Sequence, residues 1–140
     1  MSGIPMRVTL AVASIGAAVI HFVVTPDHFE EFALFGVFFL LLGVFQVLWG
    51  GSVALVPNRI VLLTGVLASA AVIGVWVVSR TAGLPLGPDP GTPEAFGVLD
   101  TLSSALEAVI VVGGTSALIK RSPRQRPAEL PPWEREPRAA

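Results

Sequence analysis

Cysteine is absent from the 140-residue chain. That excludes disulfides, thiolate metal sites and cysteine nucleophiles, and it leaves the redox compartment unread. Charge is scarce: 14% of residues are Asp, Glu, Lys or Arg, against about 25% in an ordinary soluble domain. The net charge of −1 gives no reason to expect a nucleic-acid partner. Gly-x-Ser-x-Gly, a Walker loop and a dinucleotide fingerprint are all missing, so no enzyme class with those signatures is indicated. Lysine occurs once against eight arginines. With many Ala, Val, Gly and Pro, this matches the coding bias of a high-GC bacterium.

Apolar sequence is what remains. Hydrophobic residues make up 53% of the chain, mean hydropathy is +0.75, and the bilayer is the expected solvent. Four apolar runs stand out: Val8 to Val24, Phe32 to Trp49, Ile60 to Val78 and Phe96 to Ile119. Each has about the 17–25 residues a membrane-crossing helix needs. The runs are continuous and lack the alternation of a barrel strand. The expected fold is all-α, a four-transmembrane-helix bundle with spans at about 7–25, 28–50, 59–79 and 94–119 within a domain of residues 1–120. A signal peptide over residues 1–24 is the competing reading; the weakly charged start and missing cleavage region argue against it.

Boundary signals refine this. Thr25-Pro26-Asp27 and Thr92-Pro93-Glu94 each combine a capping residue, a first-turn proline and an acid, so they predict the starts of the second and fourth helices. Gly83 to Pro93, GLPLGPDPGTP, is too rich in Pro and Gly to be helix. Residues 121–140 are rich in Pro and charge and predict a disordered cytoplasmic tail. In that tail, Arg121, Arg124 and Arg126 beside Lys120 suit anionic lipid, and Pro131-Pro132-Trp133 is a weak partner motif. PMRVTL at Pro5 echoes PNRIVL at Pro57, and TPDHF at Thr25 echoes TPEAF at Thr92. Two related hairpins, or merely generic helix-start phrases, would both produce these echoes.

The basic residues set the orientation. Arg7, Arg59, Lys120 and the tail arginines mark one side; Arg80 stands alone on the other among Asp27, Glu30, Glu31, Asp89 and Glu94. The positive-inside rule then places both termini in the cytoplasm of a multi-pass inner (plasma) membrane protein. At about 1.5 Å per residue, His21 and Glu107 lie about 20 Å above the inner edge, and Asp100 and Arg80 about 30 Å. Gln46 reads as the clearest polar residue deep on the inner side. Asp100, Ser103, Ser104 and Glu107 share one helical stripe. A central carboxylate costs about 2.5–3.5 kcal/mol facing lipid, so this stripe should turn inward. The expected partners are His21 for Glu107 and Arg80 for Asp100. Small residues on spans one to three allow close packing, and Trp49 and Trp76 read as interface anchors.

His21, His28, Glu31, Asp100 and Glu107 form the candidate metal set. Imidazole with carboxylate suits a divalent transition metal such as Zn, Fe, Cu or Mn, and bundles hold metal with inward His and Glu. No Glu-x-x-His signature is present; His28 and Glu31 give that spacing in reverse, once. A proton path is poorly supported because the ionisable groups crowd one half. His21 and His28 do not face each other from opposing helices, which disfavours haem. A quinone or lipid pocket lined by Phe residues stays open.

HFVVTPDHFEEF (His21 to Phe32) and GLPLGPDPGTPEAFGVLDTLSSALE (Gly83 to Glu107) resemble small four-span membrane proteins of actinobacterial type, over residues 7–120. The architecture is also loosely similar to DoxX-type proteins. Neither resemblance implies an established activity. Three functions follow as expectations. The first is a transport or accessory component holding a cation or small ligand at an outward-facing His/carboxylate cluster. The second is a structural subunit of a homo-oligomer or larger membrane complex, with the cluster as glue. The third is a membrane oxidoreductase with a lipid-soluble cofactor.

Overall fold

The computed structural model describes residues 3–120; the expected tail, with its arginines and Pro-Pro-Trp motif, lies outside them. The described residues form four helices: α1 (Ile4–Glu31), α2 (Ala33–Leu55), α3 (Arg59–Thr81) and α4 (Val98–Lys120). All four are long and apolar enough to cross a membrane. At 23 residues, α2, α3 and α4 reach about 35 Å, slightly more than a bilayer's apolar core.

The first break falls later than Thr25-Pro26-Asp27 predicts. Pro26 lies inside α1, which runs on to Glu31. Proline deprives the Phe22 carbonyl of its amide donor. Local side chains donate to neighbouring carbonyls of the same stretch: Thr25 Oγ1 to His21 O at 2.7 Å and His28 Nδ1 to Val24 O at 2.8 Å. These bonds brace the turns on either side of the proline and do not reach the Phe22 carbonyl itself. The chain reverses at Phe32 alone, in extended conformation, with its N–H on the His28 carbonyl.

This one-residue link closes an antiparallel hairpin with a heptad register. Gly36, Gly43 and Gly50 of α2 lie opposite Phe29, Phe22 and Ile15 of α1. A methyl on Gly43 would come within 2.7 Å of the Phe22 ring, and one on Gly36 would overlap Phe29. Glycine here makes room for bulky side chains, so the backbones approach and gain dispersion contacts that lipid cannot replace. The far end of the hairpin is tied by Arg7, whose guanidinium donates to the Ala54 carbonyl at the end of α2.

α3 starts at an Asn58 cap, whose side chain accepts from Val61 N at 2.9 Å. α1 packs on α2 and α4, and α4 on α3, while α2 and α3 barely touch. Their meeting is at one end, where the Trp49 indole lies on Gly65 and donates to Val61 O at 2.6 Å. Trp49 is therefore buried and is not the interfacial anchor its position suggests; Gly65 gives it a flat seat between helices. Leu10, Val53, Leu62 and Ile110 complete the core at this end.

The segment between α3 and α4 is irregular, as its Pro and Gly content predicts. Gly83 turns the chain at φ +76°, its N–H on Val78 O, and a side chain there would collide with the Thr92 backbone. Thr92-Pro93-Glu94 does not start α4, which begins at Val98. Glu94 instead binds back to α3, N–H to the Ser79 carbonyl at 2.9 Å and carboxylate to Arg80. The two Thr-Pro-acid phrases thus occupy different structures, one mid-helix and one in a loop.

Candidate functional site

Two polar assemblies lie between the helices. The deeper one runs across three helices. Ser14 Oγ on α1 donates to the Gln46 carbonyl at 2.8 Å. His21 Nδ1 donates to Gln46 Oε1 at 2.9 Å, and Gln46 Nε2 donates to Glu107 Oε1. Ser69 of α3 faces the same carboxyl, yet Glu107 Oε2 is sealed from solvent without a hydrogen-bond partner. Exposure is 2% for His21, 3% for Gln46 and 0% for Glu107.

The expected direct contact of His21 with Glu107 is therefore replaced by a bridge. Gln46 stands between them, and it is not an isolated inner-side residue. The reason is the length and register of α2. The helix continues through Gly50, Gly51 and Ser52 to Leu55, so Gln46 lies well inside it, at the level of the other two. The Asp-Ser-Ser-Glu stripe does turn inward: Ser103, Ser104 and Glu107 are buried and Asp100 is half-buried.

The second assembly is at the other end of α3. Asp100 Oδ2 accepts from Arg80 Nε at 2.9 Å, from Arg80 Nη2, and from Trp76 Nε1 at 2.9 Å. Arg80 also pairs with Glu94. The expected Arg80–Asp100 ion pair is present, and it is joined by two groups that spacing alone did not indicate. Trp76, read as an interfacial anchor, spends its N–H on Asp100 and meets Phe96 edge-on.

Between these assemblies is a cavity of about 720 Å³. It lies where α2 and α3 diverge. Phe35, Phe38 and Phe39 of α2 face Val72, Val75 and Trp76 of α3 across it. The α1 wall contributes His21 and His28, whose rings lie 5.5 and 4.1 Å from the Phe39 ring. α4 contributes Asp100, Ser103 and Ser104, and Leu84 to Leu86 cover one side. The lining is mainly apolar with a few polar groups, and the volume falls in the range of small-ligand sites.

The five candidate metal residues are divided among these places. His21 and His28 share the cavity wall with Asp100, while Glu107 lies behind His21 and Gln46. Glu31 is exposed beside a smaller recess of about 210 Å³ with Phe35 and Asp89. Among the described residues, no three His, Asp or Glu side chains gather as a metal-binding group.

Comparison of the chain with family models, curated proteins and solved structures finds no match.

Proposed function

We propose that this is a multi-pass plasma-membrane protein, both termini cytoplasmic, that binds a small amphipathic ligand in the interhelical cavity as a transport or accessory component. The observation that carries this reading is the cavity itself: about 720 Å³, walled by phenyl rings and aliphatic side chains, with two imidazoles on one side. An apolar pocket with a few convergent polar groups is the usual form of a small-molecule site. In this proposed orientation the cavity lies in the outer half of the membrane; the support for it is that Arg7, Arg59 and Lys120 lie at the opposite ends of the helices. A small ligand is favoured over a bare cation because the imidazoles and carboxylates are separated by Phe39, Gln46 and the Arg80 pairings.

The deeper assembly supports the glue reading. Ser14, His21, Gln46 and Glu107 link α1, α2 and α4 through sealed hydrogen bonds, and such bonds hold membrane helices together. Binding and glue are thus assigned to different groups, with His21 shared.

The test is to purify the protein from its membrane, extract it with organic solvent and identify retained small molecules by mass spectrometry. Val72→Phe and Ser104→Phe each place a ring in the cavity. A molecule retained near stoichiometry by wild type and lost from both variants is expected. Equal retention by all three proteins, or none by wild type, would overturn the reading.

A further inference from the structure

The hydrogen-bond pattern of the two imidazoles specifies the ligand more closely, and this step rests on the ligand-binding reading above. A carbonyl oxygen accepts hydrogen bonds and cannot donate them. His28 Nδ1 lies 2.8 Å from the Val24 carbonyl, so its Nδ1 holds a proton. His21 Nδ1 lies 2.9 Å from Gln46 Oε1, while the same amide turns its nitrogen to Glu107. His21 therefore also carries its proton on Nδ1. In each neutral ring, Nε2 is then a lone pair.

Neither Nε2 has a hydrogen-bond partner among the described residues. Both rings line the cavity. Glu107 Oε2 is the one sealed side-chain N or O atom without a partner among the described residues, so His21 Nε2 is not sealed away. The opposite wall has little to offer these lone pairs. Trp76 Nε1 and Arg80 are engaged with Asp100 and Glu94, and Ser79 and Ser103 donate to backbone carbonyls. The Ser104 hydroxyl is free to donate or accept.

We propose that the cavity takes a neutral, membrane-soluble alcohol or phenol. Its O–H donates to Nε2 of His21 or His28, and its apolar body lies along Phe35, Phe38 and Phe39. A hydroxyl can also accept from Ser104. A ketone, ester or ether head would bring only acceptors to two lone pairs. An ammonium head would also bring donors, but the only carboxylates in the lining that could serve as its counter-ion, Asp100 and Glu94, are already engaged with Arg80.

The test uses the full chain in lipid nanodiscs and three radiolabelled probes of one shape: 4-nonylphenol, its methyl ether 4-nonylanisole, and 4-nonylbenzylamine. The phenol should bind about tenfold more tightly than the ether, the worth of one buried hydrogen bond. In the double variant His21→Phe, His28→Phe, that preference should fall to about one while ether binding persists, which also shows that the variant is folded. Equal binding of phenol and ether by wild type, or preference for the amine, would overturn the hydroxyl assignment and leave the cavity reading standing. Binding of none of the three would overturn both.

Discussion

Gln46→Leu is the substitution that most directly probes the bundle's interior. The side chain is nearly isosteric, so packing is kept while two hydrogen bonds are lost: one from His21 Nδ1 and one to Glu107 Oε1. Glu107 is 0% and His21 2% exposed, so water cannot readily replace the amide. Interhelical hydrogen bonds in membranes average about 0.6 kcal/mol and reach about 1.7. Buried groups left unpaired add about 1–3 kcal/mol each. With partial relaxation, a loss of about 2–4 kcal/mol follows for Gln46→Leu. Glu107→Gln behaves differently: its amide oxygen still accepts from Gln46, and a buried acid without a cationic partner is removed. Its stability should lie within about 1 kcal/mol of wild type. Reversible unfolding in mixed micelles would measure both, with His21→Phe and Glu107→Leu singly and together to give the coupling through the amide. A Gln46→Leu cost below about 0.5 kcal/mol, or strictly additive His21 and Glu107 effects, would refute the bridge as a source of stability.

Other outcomes follow from the packing and the loop. Gly43→Ala and Gly65→Ala should each cost about 1–3 kcal/mol, because the new methyl meets the ring of Phe22 or Trp49; Gly74→Ala, with open space around it, should be neutral or gain up to about 1 kcal/mol in the same unfolding assay. Asp100→Ala should destabilise more than Glu94→Ala in thermal denaturation, since Asp100 accepts from both Arg80 and Trp76 while Glu94 pairs at the exposed rim. Gly83→Ala forces a side chain into a left-handed turn against Thr92, so it should speed cleavage of the 82–97 segment by an added nonspecific protease. The absence of cysteine allows a direct topology test. Asp89→Cys should react with a membrane-impermeant maleimide on intact cells and Asn58→Cys only after lysis; the reverse pattern would invert the orientation.

The helices were legible because apolar runs of membrane-crossing length have few alternative structures. Their ends were less so. Thr25-Pro26-Asp27 has the composition of a helix start, but composition does not show whether the helix runs on through it. Here Thr25 and His28 donate locally, and the reversal waits for Phe32. The glycine register illustrates a different limit. Gly36, Gly43 and Gly50 all fall within the expected span 28–50, yet their heptad spacing acquires meaning only once Phe29, Phe22 and Ile15 are known to lie opposite them. An expected span ending at about residue 50, short of Leu55, put Gln46 near a helix end and hid the group joining His21 to Glu107.

The site divides along the same line. Arg80 and Asp100 could be paired by counting rises, because both lie near the ends of helices that pack on each other. The cavity could not, because it is a failure of contact between α2 and α3, and sequence patterns report what packs. Its cause is nonetheless in particular residues. Trp49 on Gly65 draws α2 and α3 together at one end. At the other end α2 is held against α1 by the glycine register. There α3 is held to α4 by the Trp76–Asp100 and Arg80–Asp100 bonds. Each helix is fixed to a different neighbour, so the space between Phe38 and Val72 cannot close without breaking one of those attachments. A cleft of about 720 Å³ that is held open by opposed attachments is more than a gap left by loose packing. On that argument, weakening one attachment with Asp100→Ala should let α3 move toward α2 and reduce retention of any cavity ligand, even though Asp100 sits at the rim.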